Sequence, residues 1–300
     1  MQNNYKDFWT KKFNNLNPLN QISTSSANPN NPSSLVTMTS IESAKQIIPS
    51  ELVNNLTDTF NHLSLTSLLF SAYILVLGRL SSRESFDLGL LIKKPQPLNS
   101  PSIESPYYSL PLNIEITGQE TFSELSLSID KQIVLLKTQL DSFEQFIFES
   151  SVESITNLPI SFLIKNEERL ENITYSSSQE IVIYLSENVI NIDYNPELCT
   201  TQTIELLQNS VKTLLKNLCV NPKAKLAELS LLTEIQKQQI LVDWNKNKLN
   251  YSLEPLHKLF EKQVRKNPLA IAIIYQNQQL TYQQINSYSN KLAHYLVVSG

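Results

Sequence analysis

The residue types that most often do chemistry are sparse in this sequence. Its three histidines, His62, His257 and His294, stand apart, with no cysteine or second histidine at ligand spacing, so no metal site is spelled out. Serines are abundant, but none lies in a G-x-S-x-G elbow, and a hydroxyl without a placed base is not a nucleophile. The acidic pair Glu167-Glu168 is adjacent in sequence, which suits a solvated surface better than a general acid and base. Cys199 and Cys219 make neither a disulfide framework nor a metal knuckle; both fall in a stretch with helical periodicity and read as thiols of a reducing compartment. The glycines, Gly78, Gly89, Gly118 and Gly300, lie far from one another, so no glycine-rich loop is available to cradle a phosphate. Residue chemistry alone therefore gives no catalytic, cofactor-binding or metal-binding residue in the chain.

The elements that would have to position any site point to a globular α/β chain. Hydrophobic residues make up 41% and charged residues 17%, enough apolar surface for a core. The net charge of −4 carries no basic block, which argues against a nucleic-acid partner. The N-terminal MQNNYKDFWTKKF has no apolar core of a secretory signal. The run Leu63 to Leu80 has hydroxyl residues early and ends at Arg79, so it reads as a buried helix and not a membrane span. A cytoplasmic location is expected.

Along the chain, FWTKKF gives a short amphipathic helix with aromatic anchors, followed by an Asn/Ser/Pro tract, Asn17 to Ser34, that reads as an exposed linker. Strands are expected at Ser34–Ser40, Phe86–Lys94, Tyr107–Ile116, Pro159–Ile164, Ile181–Leu185 and Val189–Tyr194, with a loop from Pro95 to Pro106. Pro111 marks its strand as an edge or a bulge. Ser186-Glu187-Asn188 turns the last two strands into a hairpin, with Ile190, Ile192 and Tyr194 facing inward. A helix covers Ser50 to His62. Thr121 with Glu124 opens another, on which Phe122, Leu125, Ile129, Ile133 and Leu136 share a face. A third carries Ile204, Leu207, Val211, Leu214 and Leu218. From Lys223 the texture becomes charged and Gln-rich, interrupted by LAELSLLTE. From Leu256 a second unit starts (helix, strand, turn, short strand, helix) whose pattern needs partner strands that the sequence does not supply by Gly300.

The second unit carries the most specific motifs. A leader ends in Trp244-Asn245. A helix of the form L-F-E-x-Q-V follows at Leu259 to Val264, then P-x-A-x-A at Pro268 to Ala272, then L-T-Y-x-x-x-N from Leu280 to Asn286. Taken in order, these resemble the opening of the amino-acid adenylation domain of nonribosomal peptide synthetases. The preceding residues resemble the second half of a condensation domain. Leu65 to Ile92 is similar to that family's buried helix, polar turn and strand, SLPLNIEI to its N-T-L-P-L-R strand, DSFEQFI to its P-F-E-Q-L-V element, and INIDYNPELCT to its exit. Departures are specific: Tyr108 stands at the usual Asn, Asn113 at the usual Arg, and Thr138 and Leu140 at a customary His and Asp. The H-H-x-x-x-D-G motif, whose second His supports amide formation in that family, is absent, and no His-His pair occurs in the sequence.

The resemblance implies an α/β fold: a chloramphenicol-acetyltransferase-like two-layer lobe over residues 1–222, a linker over 223–254, and an incomplete adenylate-forming subdomain over 255–300. It implies a parent protein that activates an amino acid with ATP and Mg and loads it on a carrier-domain phosphopantetheine, none of these cofactors being held within this chain. Partners implied in cis are the rest of the adenylation domain and a carrier domain, and a half-domain behind Met1 suggests a starter module. The lobe would be a scaffold, with Leu226, Leu229, Leu231 and Leu232 forming a seam toward the adenylation domain and Trp244, Phe260 and Tyr282 serving as structural anchors. The alternative is a non-catalytic docking module that recruits an upstream synthetase subunit through Phe8, Trp9 and Phe13; a relic without independent function is a third reading.

Overall fold

The computed structural model describes residues 4–19, 41–93, 107–150, 158–164, 179–246 and 254–300. They divide into two units, residues 1–237 and 238–300. In chain order the first comprises α1 (Asn4–Asn14), β1 (Glu42–Ile47), α2 (Ser50–Thr59), α3 (Leu65–Leu80), β2 (Ser85–Lys93), β3 (Tyr107–Glu115), α4 (Phe122–Thr138), α5 (Leu140–Ser150), β4 (Ile160–Ile164), β5 (Ile181–Ser186), β6 (Val189–Tyr194) and α6 (Thr201–Val220). A 3-10 turn (Leu226–Glu228) and α7 (Glu234–Gln238) close it.

The six strands make one mixed sheet in the order β1-β6-β5-β4-β2-β3, with β4 parallel to both β2 and β5 and the other pairs antiparallel. Alternation decides which side of each strand meets the helices. Phe86, Leu88 and Leu90 of β2, Leu110, Leu112 and Ile114 of β3, and Ile190, Ile192 and Tyr194 of β6 enter one core with the apolar faces of α2, α3, α4 and α6. α3 runs through the middle of that core: every residue from Leu68 to Gly78 is buried, which explains an apolar run without amphipathic periodicity. Among the described residues no helix is long and apolar enough to cross a membrane. The opposite sheet face carries a smaller apolar cluster of Leu91, Leu163, Val182 and Tyr184.

Local rules place the elements. Thr121 caps α4 in a reciprocal box with Glu124, as the spacing predicts. Glu187, at φ 49°, begins the tight turn between β5 and β6. Pro111 sits in β3, which is an edge strand with continuous register against β2, so the edge alternative holds and no bulge is present.

Two N-terminal expectations change. Asn17 to Leu19 are not a solvated linker. Pro18 bridges Asp87 in parallel, the Asp87 N–H donates to the Asn17 carbonyl (2.8 Å), and the Leu19 N–H donates to the Asp87 carbonyl (3.2 Å). This segment pairs with β2 on the β4 side, ahead of the point where β4 begins to pair at Gly89. Leu19 is fully buried. A strand also forms at Glu42–Ile47, where none was expected; ESAKQI is too polar to announce itself and is held by its ladder to β6. The remainder of the expected linker, the expected strand Ser34–Ser40 and the expected loop Pro95–Pro106 lie outside the described residues.

The second unit holds a π-helical turn (Gln239–Asp243), α8 (Leu256–Lys266), an antiparallel hairpin of β7 (Ile271–Tyr275) and β8 (Gln278–Thr281), and α9 (Tyr282–Ser299). Thr281 caps α9 in a reciprocal box with Gln284. Among the described residues of this unit Val264 is the buried hydrophobic one, while Ile273, Ile274, Leu292 and Leu296 are exposed.

Candidate functional site

His62, His257 and His294 are all exposed, the first in one unit and the other two in the second. Among the described residues no group of three or more His, Cys, Asp or Glu side chains could hold a metal ion. Cys199 is buried and Cys219 half-buried, both as free thiols; burial pushes Cys199 up to about 12. Glu167-Glu168 lies outside the described residues. The structure does bring together a different set, at the point where the chain leaves the lobe.

The seat is built by α3, the start of α4 and the end of α6. Arg79, in the last turn of α3, donates from its two terminal nitrogens to the carbonyl oxygens of Leu229 and Leu226. Those carbonyls bracket the 3-10 turn, so a forked guanidinium engages both at once, which a lysine ammonium does not match in geometry. The Leu226 N–H donates to the Glu120 carbonyl (2.8 Å) and the Ala227 N–H to the Gly118 carbonyl (3.0 Å), laying the turn against the residues before α4. Lys225 reaches Gln119 (2.9 Å), and Asn217 of α6 donates to the Ser230 carbonyl (2.8 Å). Gly118 adopts φ +74°, a conformation that favours glycine. Burial lowers the Arg79 pKa from its usual range.

Of the four leucines expected at a seam, Leu226 is fully buried and Leu229 is 4% exposed, both inside the core of the first unit. Leu231 is half-buried against the same core, and Leu232 is 40% exposed. Leu226 and Leu229 are therefore committed to the lobe itself. In the second unit Trp244 is 64% exposed, while the Phe260 and Tyr282 rings pack 5.8 Å apart, tying α8 to the start of α9. Arg79 was legible in the sequence only as the charge that ends an apolar run; its partners are about 150 positions away, and no local pattern announces them.

The aromatic helix α1 turns inward. Trp9 is fully buried, 4.8 Å from the Phe143 ring, with its indole N–H donating to the Ser142 hydroxyl (3.1 Å). Phe13 stacks on Phe146 at 5.9 Å. Trp9 and Phe13 are thus packing residues of their own unit, not a free face for another subunit. Tyr108, at the family's Asn position, meets Phe143 edge-on at 5.4 Å. Asn113, at the family's Arg position, donates to the Asp87 carboxylate (3.2 Å), whose other oxygen accepts the Asn17 N–H (2.6 Å). This buried carboxylate is held by neutral donors and fixes the N-terminal segment on β2.

No protein-family model matches the chain. It is similar to a linear gramicidin synthase of Brevibacillus parabrevis, 26% identical over 265 residues, covering 80% of this chain and 3% of that protein. It is similar also to gramicidin S synthase 2 of Aneurinibacillus migulanus, 24% identical over 324 residues, covering 98% of this chain and 7% of that protein. The chain thus spans a small fraction of the length of these curated relatives. Among solved structures, the nonribosomal peptide synthetase FmoA3, in its α-methyl-L-serine-AMP-bound form, matches with a TM-score of 0.70 at 13% identity, covering 99% of this chain and 35% of that one. The first condensation domain of the calcium-dependent antibiotic synthetase matches with a TM-score of 0.54 at 14% identity, covering 76% of this chain and 53% of that one. The homologues are nonribosomal peptide synthetase subunits, and the mixed α/β fold is that of synthetase condensation domains, chloramphenicol-acetyltransferase-like in its layers.

Proposed function

We propose that this chain is part of a nonribosomal peptide synthetase in which residues 1–222 act as a catalytically silent condensation-like scaffold. Residues 223–254 are the connector, and 255–300 open an adenylation domain. The observation that carries the reading is the seat of the connector: Arg79, Asn217, the Gln119 side chain and the backbone at Gly118 and Glu120 hold residues 225–230 at six hydrogen bonds, while no His-His pair is present to assist amide formation. The lobe's work is to fix where the next domain begins. In this reading the parent protein activates an amino acid with ATP and Mg and loads it on a carrier phosphopantetheine.

Two assays test it. The 300-residue chain, incubated with an aminoacyl N-acetylcysteamine thioester and an amine acceptor, should give amide at the uncatalysed rate; product above that rate would show the lobe is a working condensation catalyst. An antibody against residues 1–230 should capture from the source cells a protein that exchanges pyrophosphate into ATP in the presence of an amino acid. Capture of a protein without that exchange would sink the synthetase reading.

A further inference from the structure

We propose that the cleft at the root of the connector binds a small organic carboxylate with a short apolar tail. The cleft has a volume of about 350 Å³ and lies wholly within the first unit. Its lining includes the polar residues Arg79, Ser82, Arg83 and Glu84 and the apolar residues Ile116, Leu226 and Ala227; Arg83 and Glu84 are exposed.

Charge bookkeeping selects an anion. Arg79 is half-buried, yet its partners are the carbonyl oxygens of Leu226 and Leu229, and it makes no ion pair among the described residues. Charged groups taken out of water are normally neutralised by an opposite charge, because carbonyl dipoles offset only part of the lost hydration. Arg83 spends one terminal nitrogen on the Asn17 side-chain oxygen (3.1 Å) and the Pro18 carbonyl (3.3 Å), leaving further guanidinium donors without partners among the described residues. Two cations against one carboxylate leave the lining net positive. A planar carboxylate matches the guanidinium fork, and the apolar lining suits a short hydrocarbon tail, which phosphate does not carry.

The concave shape, with few polar groups and an apolar wall, is that of a small-molecule site. Its occupant would touch Ala227, next to the fully buried Leu226, and so would bear directly on the connector. Its binding would tighten the seat that Arg79 already makes.

The test is a titration of the whole chain with sodium butyrate and, separately, with sodium phosphate at constant ionic strength, read by calorimetry and by melting temperature. Butyrate should bind saturably and raise the melting temperature, while phosphate should not. Arg83→Gln removes the free donors, and Ala227→Leu fills the cleft. Each should weaken butyrate binding by about tenfold or more, with circular dichroism unchanged. Absence of saturable butyrate binding to the unaltered chain, binding that survives Ala227→Leu, or equal binding of phosphate would each overturn the assignment.

Discussion

The guanidinium of Arg79 and the carbonyl of Leu226 are hydrogen-bonded across 147 positions of sequence, and the same side chain also holds the carbonyl of Leu229. The last turn of a buried helix thereby captures the first turn of the connector. Arg79→Leu should therefore destabilise the first unit by about 2 kcal/mol, the scale of hydrogen bonds to a charged group. Arg79→Lys should recover only part of that, because the fork is lost. Urea midpoints measure both, and amide exchange at Leu226 and Ala227 should accelerate in the same order. Unchanged exchange in Arg79→Leu would show that the backbone pairing alone seats the connector.

Trp9 should behave as core. Trp9→Ala leaves a large cavity against Phe143 and should cost about 3–5 kcal/mol, whereas Trp9→Phe should retain much of the packing. With Trp244 64% exposed, the two indoles should also separate in fluorescence: iodide should quench Trp244 and spare Trp9. A Trp9→Ala chain of undiminished stability would return α1 to the role of a docking helix.

The legibility of this fold follows from range. The Thr121–Glu124 box and the inward set Ile190, Ile192 and Tyr194 are local patterns, and the structure forms them where the spacing puts them. β1 is the opposite case. Its residues Glu42 and Ser43 read as polar, and what makes them a strand is pairing with Tyr194 and Asp193, with the Ser43 hydroxyl donating to Asp193 (2.5 Å). Asn17 to Leu19 were hidden for the same reason, since a buried carboxylate at Asp87 is needed to hold them. The connector's leucines were visible as an apolar patch, but which body they face is set by Arg79, a partner that sequence does not point to.

Alkaline pH should expose Cys199. Burial raises its pKa to about 12 from an ordinary thiol value of 9.0, so the folded state keeps a proton that the unfolded chain releases. A raised folded pKa gives stability that is complete below pH 9 and is lost as pH climbs toward 12. Cys199→Ala should flatten the fall in stability across that window. At about pH 8, iodoacetamide followed by peptide mass analysis should modify Cys199 only after denaturant is added; rapid labelling in the native chain would contradict the burial argument.

Gly89 should resist enlargement. A Cβ there would stand 2.3 Å from the Ser161 hydroxyl and 2.5 Å from that of Ser109, on strands to either side. Gly89→Ala should cost about 1–3 kcal/mol through this crowding. Adding Ser161→Gly should relieve part of the loss, so that the pair is non-additive. Strictly additive effects in thermal melts would mean that the sheet absorbs the extra methyl elsewhere.

The order β1-β6-β5-β4-β2-β3 sets a timetable for a chain made from its N-terminus. β1 waits for β6 at Val189–Tyr194, and Arg79 waits longer still, for Leu226 and Leu229 at the start of the connector. β2 meets β3 early, and its other neighbour, β4, follows at Ile160–Ile164. On the ribosome β1 is therefore left unpaired until β6 has been made, and the Arg79 seat closes only once the start of the connector has emerged. Slowing translation just downstream of the connector should then raise the yield of folded protein, and speeding it should favour aggregation.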